Sequence, residues 1–136
     1  DKALIDHLRG GPNFRTGSWQ GYQKNLDVVV DLGKSKAISS IEIGFLQDIQ
    51  SWIFYPQKVA YAISEDGKNF QPLGEASSDF PDNEYGAFTE DLSFHLKAPS
   101  KARYVKIVAT NYGICPEWHL GAGGSAWIFA DEITIE

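Results

Sequence analysis

Apolar residues recur at every second position in run after run of this chain, and that period limits what it can fold into. Leu26, Val28, Val30 and Leu32 share one face of Asn25–Leu32, leaving Asp27, Val29 and Asp31 on the other. Ile41, Ile43 and Phe45 repeat the pattern, as do Val59, Tyr61 and Ile63. Leu92, Phe94 and Leu96 follow, then Val105, Ile107 and Ala109, and finally Ile133 with Ile135. Successive side chains of an extended chain point to opposite faces, so alternation places one face on a core and the other in water. No segment sustains a helical period, although Lys2–Leu8 has room for one turn. Turn-forming residues separate the runs at Leu32-Gly33-Lys34-Ser35, Glu65-Asp66-Gly67-Lys68 and Ala98-Pro99-Ser100. Asp66-Gly67, flanked by Ile63 and Phe70, is a hairpin signal. Short strands at this spacing predict an all-β sandwich.

The 136 residues suit a single domain over 1–136, with no internal repeat or linker. A formal charge of −6, from 12 basic and 18 acidic side chains, disfavours nucleic acid or an anionic membrane as partner, since both need a basic face. No apolar run is long enough to insert into a membrane. The chain starts at Asp1 and contains no methionine, so it is expected to be a piece of something longer. A lone cysteine, Cys115, rules out an internal disulfide and reads as a half-buried small residue rather than a reactive thiol. The acidic stretch Ser77–Glu84 reads as an exposed loop.

Between Tyr112 and Glu132 aromatic rings crowd into a Gly/Pro-rich segment, followed by a strand carrying Asp131 and Glu132. A ring held on a loop beside hydrogen-bonding groups is a means of gripping a flat, half-polar ligand such as a sugar. Trp52 and Trp118 sit in irregular loops next to polar residues and are the candidate stacking platforms. Trp19 reads as core. Trp127 and Phe129 share strand parity with Ile133 and Ile135, which leaves Trp127 between core and platform. Tyr22, Tyr55 and Tyr112 are contributors or loop anchors. His7, His95 and His119 are too scattered for a zinc site; His95 is expected in solvent, and His119, beside Trp118, at a ligand. Gly121–Gly124 suits a tight reversal. A glycosidase needs two carboxyl groups roughly 5–10 Å apart across a cleft. Asp48, Glu117, Asp131 and Glu132 are the available acids, but no nucleophile–base constellation or cofactor fingerprint accompanies them, so no catalytic residue is assigned.

Several motifs in order resemble one family across nearly the whole chain. They are Asp6 in an early loop, Trp19, Val29-Val-Asp-Leu-Gly33, Ile38-Ser-Ser-Ile-Glu-Ile43, Ile63-Ser-Glu-Asp-Gly-Lys-Asn-Phe70, Ala102-Arg-Tyr-Val-Lys-Ile107 and Asp131-Glu-Ile-Thr-Ile135. This order resembles the discoidin, or coagulation factor 5/8 type C, domain. The loops around Phe14–Gly21, Ser51–Phe54, Cys115–His119 and Gly121–Trp127 are similar to the domain behind the catalytic domain of bacterial family 20 β-N-acetylhexosaminidases, the chitobiase-like enzymes. The resemblance implies an eight-stranded antiparallel jelly-roll β-sandwich, galactose-binding-domain-like and related to family 32 carbohydrate-binding modules. It implies a non-catalytic module of a secreted glycoside hydrolase, extracellular or periplasmic, linked covalently to a catalytic domain and binding terminal GlcNAc, GalNAc or Gal. The ligand residues it suggests are Arg15, Gln20, Asp48, Trp52, Tyr55, Trp118 and His119, on loops at one end of the sandwich. It also implies a structural Ca2+ held by Asp6 and Glu132, a hard cation suited to oxygen ligands. The lengthened His7–Asn13 loop, which includes Arg9, departs from the family's short acidic loop and weighs against that ion. The alternative is a structural or protein-interaction domain that packs on the neighbouring catalytic domain without sugar affinity.

Overall fold

A computed structural model describes residues 20–22, 24–113, 115, 119 and 123–136, with the side chains of residues 20–22 left aside. Six strands run through them: β1 (Gln20–Tyr22), β2 (Leu26–Asp48), β3 (Lys58–Ser64), β4 (Gln71–Ala76), β5 (Ala87–Thr110) and β6 (Ile128–Ile135). All pairings are antiparallel, in the order β1-β6-β2-β5-β3-β4. The fold is an all-β antiparallel jelly roll.

The length of β2 and β5 gives the architecture. Leu26–Asp31 pair with Ala109–Tyr104, while Ser40–Asp48 pair with His95–Ala87. Between these stretches the register slips at Asp31/Lys36 and again at Ile38/Ser40. Each strand therefore bends and passes from one layer to the other. The first layer is β4, β3, the C-terminal half of β5 and the N-terminal half of β2. The second is the N-terminal half of β5, the C-terminal half of β2, β6 and β1. Counted as runs on a layer the strands make eight; counted as continuous elements they make six.

This corrects two of the expected turns. Leu32-Gly33-Lys34-Ser35 and Ala98-Pro99-Ser100 lie inside β2 and β5 rather than between strands. Glycine and proline mark bulges as readily as turns, because both tolerate an interrupted ladder. Gly33 takes φ +85°, and its N–H donates to Asp31 Oδ1 at 2.8 Å, so the bulge closes on itself. The Ser64–Asn69 turn between β3 and β4 is the hairpin that Asp66-Gly67 signalled.

One core joins the layers. Leu26, Ile38, Ile41, Ile43 and Phe45 of β2 bury against Val59, Tyr61 and Ile63 of β3, with Val105, Ile107 and Ala109 of β5 and Ile128, Ala130 and Ile133 of β6. Burial of each large aliphatic or aromatic side chain is worth about 1.5–3 kcal/mol. Tyr61 bridges the layers: its hydroxyl donates to the Leu92 carbonyl at 2.7 Å and its ring meets Phe94 at 6.1 Å. Gly74 on β4 makes that approach possible, since a Cβ there would stand 2.5 Å from the Phe94 ring.

The strand parity expected for Trp127 and Phe129 is also corrected. Ile43 pairs with Ile133 but Phe45 with Ala130, so Asp131 and Glu132 form a bulge opposite Gly44. The extra residue turns Ile128 and Ala130 inward and Trp127 and Phe129 outward. There Trp127 and Phe129 pack on Leu46 and Ile53.

Candidate functional site

The loops 49–57 and 77–86, with residues 111–113 and 123–127, emerge at one end of the sandwich, because β2, β4 and β5 end there and β3, β5 and β6 begin there. After Asp48 the chain makes a single 3-10 turn, Ile49–Ser51, and reaches Trp52 in the left-handed region at φ 66° and ψ 24°. Such a conformation costs a bulky residue about 1–2 kcal/mol. Backbone bonds hold it in place. Asp48 and Ile53 exchange N–H···O bonds at 2.9 and 3.1 Å, and Trp52 N–H donates to the Ile49 carbonyl at 3.1 Å. Trp127 N–H donates to the Trp52 carbonyl at 2.8 Å, and Phe54 N–H to the Trp127 carbonyl at 3.1 Å. The indole is left 39% exposed.

Behind Trp52 lies a small second core of Ile49, Phe54, Cys115 and Ala126. Tyr112 stacks on Phe54 with centroids 4.5 Å apart and planes 21° from parallel. His119 is 4% exposed; its ring tilts against Phe54 at 5.5 Å and meets Trp52 edge-on at 6.3 Å. Its Nε2–H donates to the Ile49 carbonyl, which fixes the tautomer because a carbonyl only accepts. His119 is thus near the expected ligand position but supports Trp52 from inside. Cys115, expected to be half-buried, is buried, and burial pushes its thiol pKa up, which makes it a poor nucleophile.

Amide side chains fasten the three loops together. Asn111 Nδ2 donates to the Ala126 carbonyl at 3.0 Å, and its Oδ1 accepts Gly113 N–H at 2.7 Å. Gln57 Nε2 donates to the Tyr112 carbonyl at 2.9 Å, and Gln47 Nε2 to the Pro81 carbonyl at 2.9 Å. The loop read as exposed and acidic is anchored by Phe80, which lies 6.0 Å from the Tyr55 ring and 4.6 Å from Phe88. From this loop Asp82 Oδ2 accepts the Tyr112 hydroxyl at 2.6 Å. Burial, then the Asp82 bond, push the Tyr112 phenol up to about 12.

Between these walls is a cleft of about 280 Å³, bounded by Gln47, Tyr55, Gln57, Ser78, Asp82 and Tyr112 among others. Amide, hydroxyl, carboxylate and aromatic edge converge there, the mixture that orients a small polar ligand. A larger groove of about 440 Å³ crosses the outer face of the first layer, but Ala60, Ala62, Pro72 and Gly74 give it few hydrogen-bonding groups.

Of the expected ligand residues, Asp48, Trp52, Tyr55 and His119 come to this end. Tyr55 is nearly buried and shows the cleft only a margin of its ring. Gln20 starts β1 opposite Ala130. Arg15, Trp118 and Asp6 lie outside the described residues. Glu132 sits in the β6 bulge, buried beside Asp131, whose Oδ1 accepts the Glu132 N–H at 2.6 Å. Asp82 and Gln57 were not anticipated; an apolar Phe80 amid acidic neighbours was the signal that the 77–84 loop folds back.

The family model of the F5/8 type C domain matches residues 1–128. The chain belongs to that family. Solved structures share the fold of this F5/8 type C domain. The C-terminal domain of a chitobiase from Bacteroides fragilis is 23% identical with a TM-score of 0.53, over 99% of this chain and 78% of that one. CpGH89CBM32-5 from Clostridium perfringens, in complex with GalNAc-β-1,3-galactose, is 21% identical with a TM-score of 0.55, over 98% and 81%. CBM32-1 from a Clostridium perfringens family 31 glycoside hydrolase is 15% identical with a TM-score of 0.60, over 98% and 82%. No curated protein sequence matches.

Proposed function

We propose that this F5/8 type C domain is a non-catalytic carbohydrate-binding module of a secreted, chitobiase-like glycoside hydrolase, acting outside the cytoplasm. One observation carries the reading. Trp52 is held in a costly backbone conformation with its ring exposed, at the same loop end that carries a cleft of amide, hydroxyl and carboxylate groups. A pyranose has an apolar C–H face and a rim of hydroxyls, and this arrangement offers a surface to each. The sugar held by a family 32 neighbour of the same fold supports the choice of ligand. In this reading Trp52 takes the ring face. Gln57, Asp82 and Asp48 bond hydroxyls, while Gln20 and Trp118 complete the site from adjoining segments. A shallow site of this kind binds at roughly millimolar to tens of micromolar, enough to raise local substrate concentration for an attached hydrolase.

The same reading gives Glu132, with Asp6, a structural Ca2+. Buried carboxylate oxygens on the β6 bulge are hard donors of the sort that ion takes. Bound there, the ion would tie the N-terminal loop to β6. A melting temperature unmoved by exhaustive chelation would remove it from the proposal.

Isothermal titration with galactose, GalNAc and GlcNAc tests the function. Binding of at least one, lost in Trp52→Ala without unfolding, is expected. No heat with any of them, together with burial of Trp52 against a catalytic domain in the longer protein, would favour a purely structural module.

A further inference from the structure

We propose that the cleft selects by charge: it accepts neutral pyranoses and repels uronic acids, with Asp82 as the discriminating group. The inference rests on the carbohydrate-binding reading and adds the class of sugar.

Among the described residues the cleft lining contains a carboxylate, Asp82, and neither lysine nor arginine. Asp82 is fixed rather than swinging, because the Tyr112 hydroxyl donates to its Oδ2 at 2.6 Å and Tyr112 is itself stacked on Phe54. A carboxylate has about four acceptor sites. One phenol therefore leaves it able to take sugar hydroxyls, which are donors, but not a second carboxylate. Glu90 stands behind the wall, accepting the Ser78 hydroxyl at 2.7 Å. Its charge reaches the cleft: after burial, Glu90 is what raises the Tyr55 phenol, as Asp82 does for Tyr112.

The other described cations lie outside that lining. Lys34, Lys36, Lys97, Lys101 and Arg103 lie at or beside the bends of β2 and β5, and Lys68 on the β3–β4 turn, all at the opposite end. Lys24, beside the Asn25 whose Oδ1 accepts the Asn111 N–H at 2.9 Å, and Lys58, paired with Glu75 at 3.3 Å, stand at the cleft end but outside its lining, and Lys106 lies over the Phe70 ring on the outer face of the first layer. A uronate in the cleft would meet Asp82 and Glu90 without a nearby counter-charge from the described lining. Two like charges about 4 Å apart across water repel by ~1 kcal/mol, which is about fivefold in affinity, and more where water is partly excluded.

The test titrates the domain with methyl galactoside and methyl galacturonate at low and high salt. The wild type should bind the neutral glycoside at least fivefold tighter at low salt, with the ratio shrinking at high salt. In Asp82→Asn, whose amide oxygen still accepts the Tyr112 hydroxyl, the ratio should fall to within about twofold. Asp27→Asn, on the outer face of the first layer, removes the same charge from the chain and should leave the ratio alone. Equal affinities in the wild type, a ratio unmoved by Asp82→Asn, or an equal shift in Asp27→Asn each overturn the proposal while leaving sugar binding intact. Absence of binding by every neutral sugar overturns the carbohydrate reading, and this inference with it.

Discussion

The two ends of the sandwich handle their polar groups in opposite ways. At the hairpin end Asp66 accepts the backbone N–H groups of Lys68 and Asn69, both at 2.8 Å, with the Asn69 amide at 2.9 Å and the Ser64 hydroxyl at 2.8 Å. These bonds hold its carboxyl well below the usual carboxylate range, the Asn69 and Lys68 N–H groups contributing most. Asp31, nearby, is shared between its own Gly33 N–H and Arg103 on the neighbouring strand. Polar side chains there close a turn, pair across a ladder or, as Ser35 does by donating to Glu65 at 2.8 Å, link the β2 bend to the turn. At the loop end Gln47, Gln57, Asn111 and Tyr112 reach partners 15 to 55 residues away and tie separate loops together. Space is left between the loops, and Trp52 is left uncovered at their margin. A polar cluster that satisfies itself locally is structure; one that braces several loops around a gap is a site.

Substitutions at four positions sharpen or break that contrast. Phe54→Ala removes the ring on which Tyr112 and His119 rest, and should cost about 3–5 kcal/mol in denaturant unfolding while disordering the cleft. A small loss would mean the loop end is braced by its amides alone. Trp52→Ala and Trp52→Gly should both reduce sugar affinity by more than about tenfold, the loss of a stacked ring. The glycine variant should nevertheless be the more stable of the two by about 1 kcal/mol, because only alanine still suffers in the left-handed region. Equal stabilities would show that the turn relaxes when the indole leaves.

At the other end Gly67→Ala should destabilise by about 1–2 kcal/mol and leave sugar affinity unchanged. Gly67 has φ +78°, and the new Cβ would stand 3.2 Å from the Tyr104 ring. The smallest effect is a pH dependence. The folded pKa of Asp66 lies below the unfolded value near 3.9, so its stabilisation is present above about pH 4 and fades as the pH falls. The gap in melting temperature between wild type and Asp66→Ala should therefore be open at neutral pH and narrow in acid. A gap independent of pH would mean that the ionised carboxylate is not what holds the turn.

Much of the fold was legible in the sequence because burial imposes a period. Ile41, Ile43 and Phe45, or Val105, Ile107 and Ala109, face the core as their alternation requires. What local sequence did not settle was whether Gly33 or Pro99 reverses the chain or only kinks it. That is decided by Lys36 meeting Ala102, a partner too distant in sequence for the local pattern to show. The bulge at Asp131–Glu132 left no mark either, since an inserted residue changes parity without changing composition. At the site, Trp52 announced itself as a ring in an irregular loop. The neighbourhood of His119 was legible, but its burial was not, because burial depends on Ile49 and Phe54 arriving from another loop. Asp82 was hidden among other acids until Tyr112 singled it out.

The passage of β2 and β5 through both layers has a consequence for how the chain is made. Leu26 finds Ala109, and Gln20–Tyr22 find Ala130–Ile128, so the first layer closes only once β5 has been made and the second only once β6 has. Contacts so distant in sequence are closed late and slowly. For most of its synthesis the chain exposes unpaired, apolar β2. A truncation anywhere before β6 would leave that strand's core face without part of its cover, and would be expected to aggregate rather than fold to a smaller sandwich.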